Sequence, residues 1–400
     1  MSEMLPLAGI TVLDVGQAIA GPLVGQILGD FGAEVIKIED PEHGDTYRHW
    51  LPRKEGVELG WLSIARNKKS VTMNLREPRG VQVLKDLVAK ADVVIQSFKP
   101  STSDRLGISY EDLAAVNPRI IVVQVSGFGQ TGPYRDRPGF GTLAEGMSGF
   151  AEMNGEADGP PLLPQFPLAD SVAALYASIG VLTAVLDRDL NGSGKGQLVD
   201  VSLLEPLFSI LGPITTLYDQ LGIKPVRLGS RNPANAPRNL YQTKDGNYVS
   251  IAASAQQVAR RCFEAIGRPE LFDDPRYATA AARVEHVEEV DAMVGDWVRE
   301  RSREEVVQVM NEHGVAAAPV FDIEDLSADP HVLARDMIHT AHHHVLGDVR
   351  MHGVVPRLSR TPGSIRSVGP SLGAHTDEVL EQLLRLAPDE IGQLRADGVI

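Results

Sequence analysis

The sequence predicts an α/β fold built on a mainly parallel, doubly wound sheet, with a second, smaller region later in the chain. Three observations support this. Strand-like and helix-like segments alternate through the N-terminal part of the chain, the strand-like runs are apolar throughout rather than on alternate residues, and the rhythm changes beyond Leu207. Taken in order, Gly9–Val15 reads as a strand, Ala20–Ala33 as a helix closed by Gly32, and Glu34–Asp40 as a second strand, together a βαβ unit. The pattern repeats with Ser70–Leu75, a helix from Pro78 to Lys90, Ala91–Phe98, a helix near Tyr110–Val116, and Arg119–Phe128. From Gly127 to Pro167 the chain is rich in Gly and Pro, a long ordered loop of the kind that carries function. After Arg227–Asn239 comes a hairpin-like Tyr241–Ala253 with Asp245-Gly246 at its turn, then acid-rich helices to about Gly314. The tail His375–Leu394 reads as two surface helices.

Composition narrows the function. A chain of 400 residues exceeds one ordinary domain, and 43% apolar content supports a sizeable core. The net charge of −15 argues against nonspecific nucleic-acid binding, so an anionic ligand needs a local basic cluster. The single cysteine, Cys262, excludes an intrachain disulfide and fits a core helix better than a nucleophile. The N-terminus has neither the basic start nor the apolar run of a signal peptide, so a cytoplasmic, soluble protein is expected.

Asp170 stands out. It follows Pro167 and precedes a run with no charge before Asp187, in which Val172, Ala173, Ala174, Leu175, Ala177, Ile179, Val181 and Leu182 leave almost no polar face. The commonplace explanation is a helix N-cap. A helix apolar all round is buried, and this one, bounded by Asp170 and Asp187, is shorter than the about 20 apolar residues a bilayer needs. A carboxylate at its mouth could be kept ionised by the helix dipole.

Other motifs are weaker. Glu39 ends the second strand where a ribose-binding acid would sit in a dinucleotide fold, but Gly16, Gly21 and Gly25 lack the G-x-G-x-x-G spacing, so an NAD(P)-dependent oxidoreductase is the weakest alternative. Asn191–Gln197 lacks the phosphate-loop register and reads as a helix end and turn. His339, His342, His343 and His344 lie on an apparent exposed strand without acids at ligand spacing, so no metal is expected. Arg48, Arg53, Lys54, Arg66, Lys68, Lys69 and Arg76 form a basic cluster that would suit a phosphorylated ligand at the sheet's carboxyl edge, or be merely a solvated face.

Taken together, Pro6–Asp45, Asn67–Leu75, Ala91–Gly139, Phe166–Glu205 and Ser371–Leu383 strongly resemble the family III coenzyme A transferases, which include formyl-CoA transferase, carnitine CoA-transferase and the α-methylacyl-CoA racemases. The resemblance implies a Rossmann-like large domain, residues 1–205 completed by 345–400, and a smaller α+β domain, 226–325, with linkers at 206–225 and 326–344. It also implies an interlocked homodimer. By the same resemblance Asp170, in Pro167–Ser171, is the nucleophile that forms an aspartyl anhydride and then an aspartyl-CoA thioester. The implied substrates are an acyl-CoA and a small carboxylic acid, with no prosthetic group. Gln17, Ala18, Ala20, Arg76, Phe98 and Arg105 match positions around the coenzyme, while Asp40 and Ser97 replace an arginine and an asparagine there. Racemases carry a His-Asp pair where this chain has Phe140 and Gly141, and losing a base removes a two-base mechanism. Formyl-CoA transferase has a glutamate at Gly141 and a glycine-rich loop at Ala252–Gln257, so formate and oxalate are not the expected acids. A small dicarboxylate with succinyl-CoA as donor is expected from the family's breadth, with a racemase-like enzyme or a noncatalytic CoA-binding protein as alternatives.

Overall fold

The computed structural model describes residues 4–400. The chain forms two units, one of Met1–Phe150, Leu163–Pro213 and Leu333–Ile400, the other of Ala151–Leu162 and Ile214–Val332.

The first unit is built on six strands, β1 (Thr11–Asp14), β2 (Glu34–Glu39), β3 (Lys68–Thr72), β4 (Val93–Gln96), β5 (Ile121–Ser126) and β6 (Leu198–Ser202). All pair in parallel, in the order β3-β2-β1-β4-β5-β6. That order reverses between β1 and β4, and open α/β sheets bind ligands at the carboxyl ends of the strands beside such a reversal. The strands are apolar throughout because both faces are covered. Val12, Val35, Val93 and Val123 belong to one core, and Leu13, Ile36, Val94 and Val122 to the other. Crossover helices include α1 (Ala20–Asp30), α2 (Pro78–Val88), α3 (Pro100–Leu106), α4 (Tyr110–Val116), α5 (Gly141–Met147) and α6 (Leu168–Val185), and α7 (Leu204–Ser209) follows the last strand. The Asn191–Gln197 stretch is a turn: Gly192 and Gly194 take left-handed φ of 75° and 64°.

Helix α6 departs from expectation in two ways. It continues through a π turn to Leu190, so that by length and composition it could cross a membrane. It is also buried on one face only. Ala169, Ala173, Ala174, Ala177, Val181 and Ala184 pack into the core, with α1 alongside, whereas Leu175, Ile179, Leu182, Leu186 and Leu190 stay exposed. Small residues permit close packing on one side, and the other side is unpartnered among the described residues.

The second unit holds an antiparallel sheet of β7 (Arg238–Gln242), β8 (Tyr248–Ala252) and β9 (Ala316–Pro319) in the order β9-β8-β7. Asp245-Gly246 makes the expected turn, with Gly246 at φ 81°. Helices α8 (Gln256–Ala265), α9 (Val287–Arg299) and α10 (Arg303–Glu312) bury Cys262, Phe263, Val290, Val294, Val298, Val306 and Met310 against it. Burial pushes the Cys262 thiol up to about 12, which suits an inert core residue.

The chain then returns to the first unit. Strands β10 (Ile338–His343) and β11 (Gly347–His352) form a hairpin, and the last helix, α11 (Pro388–Ala396), places Ile391 and Leu394 in the core beside Val399 and Ile400. The returning segment also seals the sheet edge: Thr376 Oγ1 accepts from Thr72 N at 3.0 Å, His375 Nδ1 from Ser70 N at 3.1 Å, and Val399 O from Asn74 N at 2.8 Å.

Candidate active site

The turn after β1 is fixed amide by amide. Gly16 N donates to Asp14 Oδ1 at 3.0 Å, Gln17 N to Ser97 Oγ at 2.7 Å, and Ala18 N to Asp45 Oδ1 at 3.0 Å, which holds Ala18 in the left-handed region at φ 62°. A Cβ on Gly16 would lie 2.9 Å from Gly21 Cα, so only glycine lets the turn meet the start of α1 this closely. Ser97 takes up the turn as an acceptor, and Gln17 remains exposed beside it.

This arrangement overturns the dinucleotide alternative. The three amides are already committed to side chains, so they offer no cradle for a pyrophosphate. Glu39 is buried and fully engaged: Arg48 donates to it at 2.7 and 2.9 Å, Ser70 Oγ at 2.6 Å and Asp45 N at 3.0 Å. Burial pushes this acid up, but Arg48, Lys37 and Ser70 outweigh it and hold Glu39 below the ordinary range.

Most of the basic cluster is structural too, which corrects its reading as a phosphate anchor. Arg48 pairs with Glu39, Arg66 with Asp30 at 2.6 Å, Lys68 with Asp14 at 2.8 Å, and Lys69 with Glu34 and Glu378 at 2.8 Å each. Arg53 lies 3.5 Å from Glu58. Lys54 and Arg76 are the exceptions: Lys54 is exposed, and the Arg76 side chain is 81% exposed and 3.8 Å from Asp40. Asp40 Oδ1 meanwhile accepts from Glu42 N and His43 N at 3.0 Å.

Of the other coenzyme positions, Phe98 follows β4 half-buried against the core, Arg105 is exposed on α3, and Ala20 is buried at the start of α1. The histidine strand is less exposed than expected, with His339 half-buried and His342 exposed. His343 is the buried member, its Nδ1 accepting from Val345 N and Leu346 N at 3.2 Å, which makes it the anchor of the hairpin turn.

Asp170 is the third residue of α6. It is not the N-cap, a place taken by Pro167 without a side-chain cap. Because α6 follows β5 and precedes the parallel β6, its N-terminus lies at the carboxyl edge of the sheet, the edge that also carries Gln17 and Phe98. The acid is half-buried, and burial, reinforced by Glu145, pushes it up to about 6, the opposite of the dipole-stabilised ion expected from the sequence. Space for its carboxylate comes from Gly141, because a Cβ there would collide with Asp170 Oδ2.

Sequence reasoning missed Glu145. It is 3% exposed on α5, and its Oε1 accepts from Ala169 N at 3.2 Å, directly before Asp170. The available signal was its isolation as the one charge in the apolar stretch Gly139–Ala151. A desolvated carboxylate with raised basicity is equipped for nucleophilic attack.

The chain is 41% identical over 396 residues to the succinyl-CoA–D-citramalate CoA-transferase of Chloroflexus aurantiacus, covering 99% of this chain and 98% of that one. It is 32% identical to the succinyl-CoA:glutarate CoA-transferase of Homo sapiens, covering 100% and 91%. A CaiB/BaiF family protein from Brucella suis has a similar structure, with a TM-score of 0.84 at 33% identity over 95% of this chain and 100% of that one. The profile of CoA-transferase family III matches residues 7–376, and the chain belongs to that family of enzymes, which transfer coenzyme A between acyl-CoA thioesters and carboxylates.

Proposed function

We propose that Asp170 carries this transfer covalently. One carboxylate oxygen of Asp170 attacks the thioester carbonyl of the donor and expels CoA thiolate, leaving a mixed anhydride. The thiolate then attacks the aspartyl carbonyl, releasing the donor acid and leaving an aspartyl-CoA thioester. The acceptor carboxylate attacks that thioester to give a second anhydride, and the thiolate takes the acceptor's acyl group, freeing Asp170. An anhydride keeps the activation of the thioester, which a serine ester would largely lose, and water must be kept from it.

The observation that carries this reading is the Asp170 carboxylate itself, desolvated and raised to about 6, in a space that only glycine at 141 leaves open. Gln17, Ala18, Ala20, Phe98, Arg105 and the loosely paired Arg76 are assigned to the coenzyme. The relatives named above pair succinyl-CoA with citramalate or glutarate, and this supports succinyl-CoA as donor and a dicarboxylic acid as acceptor here. Phe140 and Gly141 supply no base, which disfavours racemisation.

The exposed apolar face of Leu175, Ile179, Leu182 and Leu186 supports a homodimer, interlocked as the family resemblance implies. Sedimentation as a monomer would remove that part of the proposal.

Mass spectrometry after brief incubation with succinyl-CoA tests the chemistry. A hydroxylamine-sensitive adduct on the Asp170 peptide is expected, absent in Asp170→Asn. Transfer without an adduct, at an unchanged rate in that variant, would refute the covalent route.

A further inference from the structure

Among the described residues Glu145 is a buried acid with no lysine or arginine paired to it. Its Oε1 accepts from the Ala169 amide at 3.2 Å, the second amide of α6. Buried carboxylates elsewhere in this unit, such as Asp14, Asp30 and Glu39, each face a lysine or an arginine. The amide that Glu145 holds belongs to the residue directly before Asp170, and at that range the two carboxylates repel.

The neighbouring elements add no compensating charge. The first turn of α1 is uncharged, α5 carries Glu145 alone, and α6 has no other charge before Asp187. Strand β5 is uncharged; β6 contributes Asp200, which accepts from Gln130 N at 3.0 Å, and α7 contributes Glu205, which accepts from Ser202 Oγ at 2.7 Å. Every ionisable group on these elements near the turn is therefore an acid.

We propose that Glu145 is a positioning residue for Asp170: it holds the first turn of α6 through the Ala169 amide, and its negative charge favours the acylated, uncharged form of Asp170. This rests on Asp170 being the nucleophile. When Asp170 attacks a thioester, its carbonyl-bound oxygen bonds to the acyl carbon, the carbon–sulfur bond breaks, and the negative charge leaves on the CoA sulfur. The Asp170 carboxylate becomes a neutral anhydride, so a like-charge repulsion present in the free enzyme disappears in the intermediate. The same repulsion keeps Asp170 basic, as an attacking carboxylate needs to be.

Glu145→Gln separates the two parts, because its amide oxygen can still accept from Ala169 while the charge is gone. The readout is the burst of CoA thiol from succinyl-CoA across pH, together with the amount of hydroxylamine-sensitive adduct on the Asp170 peptide. In the unaltered enzyme the acid limb of the burst is expected near pH 6. In Glu145→Gln the limb should move to lower pH, because the like charge that raises Asp170 is gone. The plateau rate should fall with it, a less basic carboxylate being a weaker nucleophile. Less adduct should stand at equilibrium. Glu145→Ala, which also loses the amide partner, should show the same limb with a lower plateau.

A merely structural role would lower the plateau and leave the limb in place, and that result would overturn the proposal while the nucleophile reading stands. Absence of any Asp170 adduct in the unaltered enzyme would overturn both.

Discussion

On the β1–β3 side of the sheet and at the mouth of α6, the first unit buries acids in opposite ways. Asp14, Asp30 and Glu39 sit against Lys68, Arg66 and Arg48 at 2.6–2.8 Å, and their remaining lone pairs accept further hydrogen bonds, from Gly16 N, Asn67 Nδ2 and Ser70 Oγ. Asp170 and Glu145 have no such cation. A buried charge is tolerable when it is paired, and its pairing then serves geometry, here the fixed turn Gly16–Ala18. A buried charge left unpaired lowers stability but keeps its reactivity. The contrast separates a scaffold from a reagent at one edge of one sheet.

The largest effect should come from Asp170→Asn. It removes the attacking oxygen anion and should lower the rate of CoA transfer by about 10⁴-fold or more, with the circular dichroism spectrum unchanged. Activity within tenfold of the parent would break the contrast.

On the scaffold side, Asp30→Ala strands the guanidinium of Arg66, which is 1% exposed, with the backbone oxygen of His352 as its remaining partner. Urea unfolding should show a loss of about 3–5 kcal/mol. A loss near zero would mean the paired acids are not needed for the fold.

Gly141→Ala sharpens the comparison from the reagent side. Its methyl claims the space of Asp170 Oδ2, and displacing a reacting atom by an ångström costs about 10²-fold in rate. The burst of thiol release should fall by that factor while thermal stability stays close to the parent's.

The smallest effect has the opposite sign. Asp170 holds its proton more tightly folded than unfolded, so it favours the fold at low pH and costs stability as pH rises through about 6. Asp170→Asn should therefore be more stable than the parent at neutral pH by about 2 kcal/mol, a gain that disappears below about pH 4. Glu39, held below the ordinary range, should behave in reverse. Glu39→Gln should be destabilising at neutral pH, with the difference shrinking as acid protonates the parent. Thermal unfolding of both variants across pH checks the two signs together.

The sheet was legible because burial on both faces forces continuous apolar runs such as Ile121–Val125, which need no partner information to be recognised. Asp170 was legible from its motif, and Gly141 from its departure from the relatives' pattern. Charge pairing was not legible, since Lys68 meets Asp14 across 54 residues and Arg66 meets Asp30 across 36. No local spacing announces such pairs, so cations that tie the scaffold together looked like a ligand site. The pairing of Glu39 with Arg48 and Ser70 was hidden for the same reason. The second face of α6 failed differently: an apolar sequence states that both faces need covering but not which of them stays exposed among the described residues, here that of Leu175, Ile179 and Leu182.

The returning segment has a consequence for how this protein is made. The outer amide of Ser70 on β3 finds its acceptor 305 residues later, at His375. At about 5–20 residues per second of synthesis, that edge waits roughly 15–60 seconds after its own translation before its partner is made. Throughout that interval an apolar parallel sheet carries an open edge, at which a neighbouring nascent chain can pair. The second unit, nearly contiguous in sequence, has no such delay. Yield in a cell should therefore depend on translation speed and on chaperones that shield the half-made sheet, more than on the stability of the finished enzyme.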